Sequence, residues 1–368
     1  MRVMEENAGI TSDLLAAVAR ALDLSAEQDL RVERTLPTHV RSEVVAIATP
    51  GGRHLIAKQF LDGEAQLRFE AEHTTLSTLA GSLAPIPALR GADSERLVLI
   101  VDAIDGPTVE EVLRGGAPGG ADRWLVAYAR AMGILHSAAA GAVAAIRRVR
   151  EERGHTESSF WPPFARDVRA SAEKLAAFSE TPADELAREM AEIVQRTYEA
   201  PGADGTLIQW DSWPGNAIAG RDKVVIVDLE NSMNGSGLID VSSWHLAFPA
   251  APLRAPFAGP IPDRLIKQMD GAYEQARGRR TNAANLAFAV ACRMLFELTA
   301  PSVRRLASGT LDDRIRALYA FRLERAASVL RRAGVLPVLT DAMQSVAAKA
   351  KPTTASGDHL QPYAAVRD

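Results

Sequence analysis

The chain has 368 residues, 47% of them hydrophobic and 24% charged, which is the composition of an ordinary globular protein large enough for two lobes. Its formal net charge of −4 gives no support for nucleic-acid binding, which normally requires a basic surface, and is compatible with a cationic small molecule. The single cysteine, Cys292, excludes an intramolecular disulfide and a cysteine metal cluster.

The amino terminus is acidic where a secretory signal would be basic and then apolar. No apolar run in the sequence approaches the length needed to span a bilayer. We therefore expect a cytoplasmic protein that has neither a membrane nor a nucleic acid as a partner.

The first predicted element is a helix over residues 11–23, and residues 1–28 are assigned to an N-terminal helical extension. Strands are predicted over residues 30–32, 44–49 and 54–60, with Pro50-Gly51-Gly52 as the turn between the last two. A helix over residues 64–80 and a buried strand over residues 97–101 follow.

Lys58 lies in the third predicted strand, between apolar residues. One interpretation is a surface lysine on an edge strand, where lysines discourage pairing with other chains. The alternative is a lysine paired with a glutamate of the following helix, either Glu70 or Glu72, as in the arrangement that holds nucleotide phosphates in kinase folds.

Helical periodicity dominates the rest of the chain, apart from the stretch between residues 206 and 244. Further helices are predicted around Val109 to Leu113 and over residues 121–140, 164–178, 183–198, 263–275, 283–298, 311–334 and 339–348. The tail, residues 349–368, lacks apolar periodicity and is predicted to be disordered.

The stretch from residue 206 to residue 244 has the residues best suited to chemistry. A short strand over residues 206–210 leads into a polar loop over residues 211–216, and a second strand, residues 223–227, ends at Asp228 and Glu230. Two carboxylates and an amide can thus converge from two strand ends. Oxygen ligands of this kind suit Mg²⁺, which commonly binds one or two carboxylates together with substrate phosphates. The stretch therefore predicts a phosphoryl-transfer site.

The order Asp211, Asn216, Asp228 and Asp240 resembles the catalytic loop and metal-binding segment of the aminoglycoside phosphotransferase family. The resemblance implies an α+β, protein-kinase-like fold with two lobes. The N-lobe, residues 29–103, would hold a small antiparallel sheet, and the larger, mostly helical C-lobe, residues 104–348, would hold the catalytic loop at residues 206–244.

The same resemblance implies a role for each residue of the motif. Asp211 would be the catalytic base that accepts a proton from a substrate hydroxyl, and Asn216 and Asp228 would hold Mg²⁺ against the phosphates of ATP or GTP. Asp240 would brace the catalytic loop by hydrogen bonds. The implied activity is phosphorylation of a small-molecule hydroxyl, with an antibiotic, a sugar or an amino alcohol as acceptor.

The N-lobe would complete the nucleotide site. The family pattern Glu-x-x-x-Leu-x-x-Leu selects Glu72 over Glu70 as the partner of Lys58. Backbone groups from Asp102 to Ile104 would contact the nucleotide base, and residues 38–43, including Ser42, would lie over the phosphates, although no glycine-rich motif occurs there.

The chain departs from the family at Gln209-Trp210, where His-Gly is common. Trp210, Trp213 and Glu230 are assigned to a possible substrate pocket, and spacing alone does not choose among Glu230, Asp263, Asp270 and Glu274 for recognition of a cation. Two alternatives remain open at this point: a kinase-like scaffold that binds nucleotide without transfer, and a helical interaction protein with no nucleotide site.

Overall fold

The computed structural model describes residues 13–24, 30–36, 41–115, 120–221, 223–248, 261–299 and 313–351. Its amino-terminal part is a five-stranded antiparallel sheet with the strand order β1-β2-β3-β5-β4. The strands are β1 (Arg31–Thr35), β2 (Ser42–Ala48), β3 (His54–Phe60), β4 (Leu89–Asp93) and β5 (Val98–Asp102). Strand β3 is therefore central, with β2 on one side and β5 on the other.

Alternation along β3 separates the two faces of the sheet. Leu55 and Ala57 point to one face, which is covered by helix α1 over residues 13–21 through Leu14 and Val18. Phe60 lies on the opposite face, which is covered by helix α2 (Ala65–Thr78). The N-terminal helix thus packs on the sheet, and the face that carries Lys58 turns towards α2.

The carboxyl-terminal part is mostly helical. Its helices are α3 (Val109–Arg114), α4 (Gly120–Ala140), α5 (Val143–Glu152), α6 (Pro163–Arg166), α7 (Val168–Ser179), α8 (Ala183–Val194), α9 (Leu238–His245), α10 (Asp263–Arg277), α11 (Ala283–Thr299), α12 (Asp313–Ala333) and α13 (Pro337–Ala350). The helices α4 and α10 pack so closely that a Cβ on Gly133 would lie 2.6 Å from the carbonyl oxygen of Tyr273. One continuous apolar core joins these helices to the α2 face of the sheet.

Two short antiparallel strand pairs lie within this helical lobe. Strand β6 (Gly205–Ile208) pairs with β9 (Met233–Ser236), and β7 (Ala217–Ala219) pairs with β8 (Val224–Ile226). Strand β9 was not predicted, because the polar run Met233 to Ser236 resembles a loop. Glu157, which is far away in sequence, contacts this strand and accepts hydrogen bonds from the backbone and side-chain N–H groups of Asn234, both at 2.8 Å.

The last helix begins two residues earlier and ends two residues later than predicted. Pro337 suits its first turn, and the carboxylate of Glu189 accepts hydrogen bonds from the N–H groups of Val338 and Leu339 at 3.1 and 2.7 Å. Residues 349 and 350, which were assigned to the disordered tail, are therefore helical. The rest of that tail, from residue 352, lies outside the described residues.

No single helix in the described part of the chain is long and apolar enough to cross a membrane. The pair Asp122–Ala140 and Val143–Glu152 meets the length and composition test only when taken together, and it is bent by 66° at its break.

Candidate active site

Lys58 lies between the two lobes, surrounded by three carboxylates. Its Nζ is 2.9 Å from Oε2 of Glu72, 2.6 Å from Oδ1 of Asp228 and 2.7 Å from Oε2 of Glu230. Because β3 is a central strand and the Lys58 side chain is 13% exposed, the interpretation of Lys58 as an edge-strand surface residue is wrong. The predicted contact with Glu72 is present, whereas Glu70 turns away and pairs with Arg153.

The charges of this cluster shift the pKa values of Lys58 and Glu72. Burial alone would lower the pKa of Lys58, but the carboxylates of Asp228, Glu72 and Glu230 raise it well above its ordinary value. Burial raises the pKa of Glu72, and the two neighbouring carboxylates add to that effect, while Lys58 opposes it. Lys58 is thus a firmly charged cation among acidic groups.

Glu230 was assigned to a possible substrate pocket, and the structure places its carboxylate in the cluster around Lys58. The strand β8 ends at Ile226, and Asp228, with a φ of +61°, lies in the turn that follows and brings both carboxylates to Lys58. The Glu230 carboxylate is 2.7 Å from the ammonium nitrogen of Lys58, on the same group that contacts Glu72 and Asp228.

The residues around Lys58 fit a hard divalent cation. Carboxylate oxygens of Glu72, Asp228 and Glu230 all lie within 4.8 Å of one another, and oxygen donors are what Mg²⁺ prefers. The side-chain amide of Asn216 donates through Nδ2 to the carbonyl oxygen of Asp211 at 3.0 Å and to its Oδ2 at 3.2 Å. The side-chain oxygen of Asn216 is therefore directed away from these contacts and can act as a ligand.

The backbone just before Asp211 is held by Asp240, which is fully buried at the start of α9. Its carboxylate accepts hydrogen bonds from the backbone N–H groups of Gln209 at 2.7 Å and Trp210 at 2.9 Å, and lies 3.0 Å from Nε2 of His136. Burial alone would raise the pKa of Asp240, but the hydrogen bond from His136 and the nearby Arg293 guanidinium hold it below its ordinary value.

Gln209 occupies the position at which the resembling family commonly has histidine. Its Nε2 donates a hydrogen bond to the carbonyl oxygen of Val227 at 2.8 Å, and the N–H of Val227 donates to the carbonyl oxygen of Asn216 at 3.0 Å. These two bonds join the catalytic loop to the segment that carries Asp228. No pattern in the sequence predicts this role of the glutamine.

Trp210 was assigned to the substrate pocket, and the structure instead places its ring in the core. The residue is 6% exposed and its ring packs against Phe296 at a centroid distance of 5.3 Å and against Tyr198 at 6.4 Å. Trp213, by contrast, is only partly buried, and its ring lies against Gly215. Trp213 stays a candidate for the substrate pocket.

The predicted hinge at Asp102 to Ile104 is partly committed to other contacts. The N–H of Asp102 donates to the carbonyl oxygen of Ala88 at 3.0 Å, and its carboxylate forms two 2.6 Å hydrogen bonds with Arg90. The N–H of Asp102 is therefore already paired within the sheet, and its carboxylate is shared with Arg90. The carbonyl oxygen of Asp102 and the N–H of Ile104 remain the candidate groups.

The predicted phosphate loop is only partly described. Ser42 begins β2 opposite Phe60, and residues 37–40 lie outside the described residues. Three acidic residues named for the acceptor pocket have structural partners: Asp263 pairs with Arg325, Asp270 accepts from Trp244 and His245, and Glu274 accepts from the Thr281 N–H.

Helix α2, which carries Glu72, is tied to the C-lobe by a hydrogen-bonded junction at Ser232. The Ser232 hydroxyl donates to the carbonyl oxygen of Ala71 at 3.1 Å and lies 2.9 Å from Oγ1 of Thr75. The carbonyl oxygen of Ser232 accepts a hydrogen bond from Arg150 at 3.0 Å. Since Ser232 is fully buried and four residues after Asp228, the junction fixes Glu72 relative to the two other carboxylates.

Comparison with known families identifies the wider context of this geometry. A profile described as the phosphotransferase enzyme family, APH, matches residues 34–281, which is more than half of the chain. Among curated proteins, none matches the sequence.

Solved structures that resemble the chain share little sequence with it. A putative fructosamine-3-kinase from Thermobifida fusca has 16% identity and a TM-score of 0.51, over 86% of this chain and 98% of that one. A macrolide 2′-phosphotransferase from Brachybacterium faecium has 16% identity and a TM-score of 0.48, over 84% and 97% of the two chains. The first likeness confirms the predicted two-lobed, kinase-like α+β fold.

Proposed function

The chain belongs to the phosphotransferase enzyme family, and we propose that it moves the γ-phosphate of ATP or GTP to a hydroxyl of a small molecule. The observation that carries this proposal is the meeting of Lys58 and Glu72 from the N-lobe with Asp228 and Glu230 from the C-lobe, at distances of 2.6 to 2.9 Å from Nζ. A charged lysine fixed by a helix glutamate beside a cation-binding carboxylate is the arrangement that grips nucleotide phosphates.

Asp211 is the proposed base. It follows the loop segment held by Asp240, and its carboxylate is oriented by the amide of Asn216 at 3.2 Å. As the acceptor oxygen bonds to the γ-phosphorus, its proton passes to the Asp211 carboxylate, and the bond between the β-phosphate oxygen and the γ-phosphorus breaks to release ADP or GDP.

The remaining groups would bind the nucleotide. Lys58, oriented by Glu72, would contact the phosphates, and the Asp102 carbonyl and Ile104 N–H would contact the base. Asn216 and Asp228 would hold Mg²⁺, with Glu230 beside them, and the ion would supply positive charge against the phosphates.

The acceptor belongs to the class of hydroxylated small molecules. Fructosamine-kinase and macrolide-phosphotransferase structures are both similar to the chain, and acceptor pockets on one scaffold vary with their loops. Trp213, partly buried and two residues after Asp211, is the residue we propose for the acceptor side.

The test is release of ADP or GDP across a panel of hydroxylated antibiotics, sugars and amino alcohols. Asp211→Ala is measured beside Asp184→Ala, a control at an 82% exposed aspartate that pairs with Arg169 on the surface. We expect turnover with at least one acceptor, lost in Asp211→Ala and kept in the control. Turnover that survives in Asp211→Ala would refute the proposed base, and absence of nucleotide binding would refute the proposed site.

A further inference from the structure

Arg293, on α11, lies directly beneath the catalytic loop and is fully buried. Its Nη1 donates a hydrogen bond to the carbonyl oxygen of Trp210 at 2.5 Å, and its Nη2 donates to the hydroxyl of Ser212 at 2.9 Å. The same Nη2 lies 3.2 Å from the carbonyl oxygen of Ile239. The guanidinium therefore holds the residue before Asp211 and the residue after it.

The backbone at Trp210 needs such support. Its φ is +69°, in the left-handed region, which is costly for a residue with a large side chain unless the surroundings enforce it. Asp240 fixes the N–H of Trp210, and Arg293 fixes its carbonyl oxygen. The Arg293 guanidinium also lies 5.0 Å from the centre of the Trp210 ring, within the range of a cation–π contact.

Charge pairing alone does not account for the placement of Arg293. Its ion pair with Oδ1 of Asp240 is long, at 3.8 Å, whereas its short contacts go to the neutral oxygens of Trp210 and Ser212. A rigid planar fork with several donors suits this task, and a lysine could not reach the same acceptors in the same geometry.

We propose that Arg293 is a positioning residue for Asp211. It sets the direction of the Asp211 carboxylate by fixing the carbonyl oxygen of Trp210 on one side and the hydroxyl of Ser212 on the other, and it acts through the loop without touching substrate. This inference rests on the proposed function. Residue 293 lies beyond the segment that the family profile matches, which ends at residue 281, so the profile assigns it no role.

Two variants and one control test the inference. Arg293→Gln removes the fork, and Ser212→Ala removes one of its acceptors while leaving the arginine in place. Arg322→Gln is the control, because Arg322 is also fully buried and its guanidinium pairs with Glu297 of α11 at 2.5 Å. For each protein, Tm is measured by thermal unfolding, and kcat and nucleotide Kd are measured at a temperature well below that transition.

We expect Arg293→Gln to lower kcat by about 10- to 100-fold, since a displacement of about 1 Å in a reacting group has effects of that order. Nucleotide Kd should stay within about twofold, because Lys58 and Asp228 are untouched, and Ser212→Ala should lower kcat by about fivefold. The control should lower Tm and leave kcat per folded molecule unchanged. If Arg293→Gln does not fold, an unchanged kcat in Ser212→Ala overturns the inference.

A double-mutant cycle separates positioning from general damage. When the Asp211 carboxylate is already absent, in Asp211→Asn, adding Arg293→Gln should cause no further loss of the residual rate. If Arg293→Gln lowers the rate of Asp211→Asn by the same factor as it lowers the wild-type rate, the inference is overturned. If the wild-type chain turns over and Arg293→Gln matches it, the inference fails alone; if the wild-type chain binds no nucleotide, the proposed function fails and the inference with it.

Discussion

Replacing Lys58 with methionine would leave three carboxylates without the cation that they share. Glu72, Asp228 and Glu230 would face one another with oxygens within 4.8 Å, while the methionine would keep most of the apolar stem in place. Removing one partner of a buried ion pair costs about 3–5 kcal/mol. We take the lower value, about 3 kcal/mol, because the Asp228 side chain is 35% exposed and can regain water. For a chain of 368 residues that corresponds to a decrease in Tm of about 4 °C.

The loss should depend on pH in a defined direction. The pKa of Lys58 is raised above 10.5, so in the wild-type chain its contribution to stability is present throughout the neutral range and is lost only as the pH rises through that raised pKa. Without Lys58, the pKa of Glu72 rises further above 4.5, because Lys58 is the group that lowers it. At pH values between 4.5 and the raised pKa of Glu72, the folded variant then binds more protons than the unfolded chain. The difference in stability between the variant and the wild-type chain therefore becomes smaller as the pH falls.

The assay is thermal unfolding followed by circular dichroism at several pH values from about 8 to about 5. Lys174→Met, at an exposed lysine on α7, is the matched control. Millimolar Mg²⁺ should raise the Tm of Lys58→Met more than that of the wild-type chain, because the carboxylates would then bind the ion without a competing ammonium. A deficit no larger than that of the control, or one that does not change with pH, would refute this account of the cluster.

Three further predictions concern the buried surroundings of the site. Burial lowers the pKa of His136 below 6.5, so the unfolded chain binds more protons than the folded chain as the pH falls past 6.5. The urea midpoint of the wild-type chain should therefore fall as the pH falls, and the urea midpoint of His136→Gln should fall less. An equal dependence of the two urea midpoints on pH would contradict this. In Gly237→Ala, the new Cβ would lie 2.7 Å from Nδ1 of His136, so we expect a loss of about 1–3 kcal/mol in urea denaturation. Gly271→Ala, with nothing within 4 Å, should instead gain about 0.5–1 kcal/mol; if both behave alike, close packing at Gly237 is not the cause. Ser232→Ala should lose about 1–2 kcal/mol by leaving the Ala71 carbonyl oxygen with one donor fewer, and an unchanged stability would show that the junction is replaced by water.

The features that the sequence predicts well are those whose cause is local. The polar loop after β6 and the carboxylates after β8 follow from short strand patterns, and their order along the chain was sufficient to indicate the family. The contact between Lys58 and Glu72 was also predicted, but only through the resemblance to the family, whose Glu-x-x-x-Leu-x-x-Leu pattern selects Glu72 over Glu70.

The features that it does not predict depend on partners far away in sequence. Nothing near Trp210 shows that its ring turns into the core, since the space is made by Phe296 and the support comes from Arg293. The early start of α13 depends in the same way on Glu189, about 150 residues upstream. The contact of Glu230 with Lys58 was not predicted, because a glutamate suits either a cationic acceptor or a lysine and its spacing does not distinguish the two.

The junction at Ser232 has a consequence for control of the protein. In protein kinases, activity is controlled by the position of the helix that carries the glutamate partner of the lysine. Moving α2 outwards here would break the Ser232 contacts to Ala71 and Thr75 and the pair between Glu70 and Arg153, each costing about 1 kcal/mol or more. An outward position of α2 is therefore disfavoured by several contacts at once, and movement of this helix is a poor means of controlling the activity that we propose.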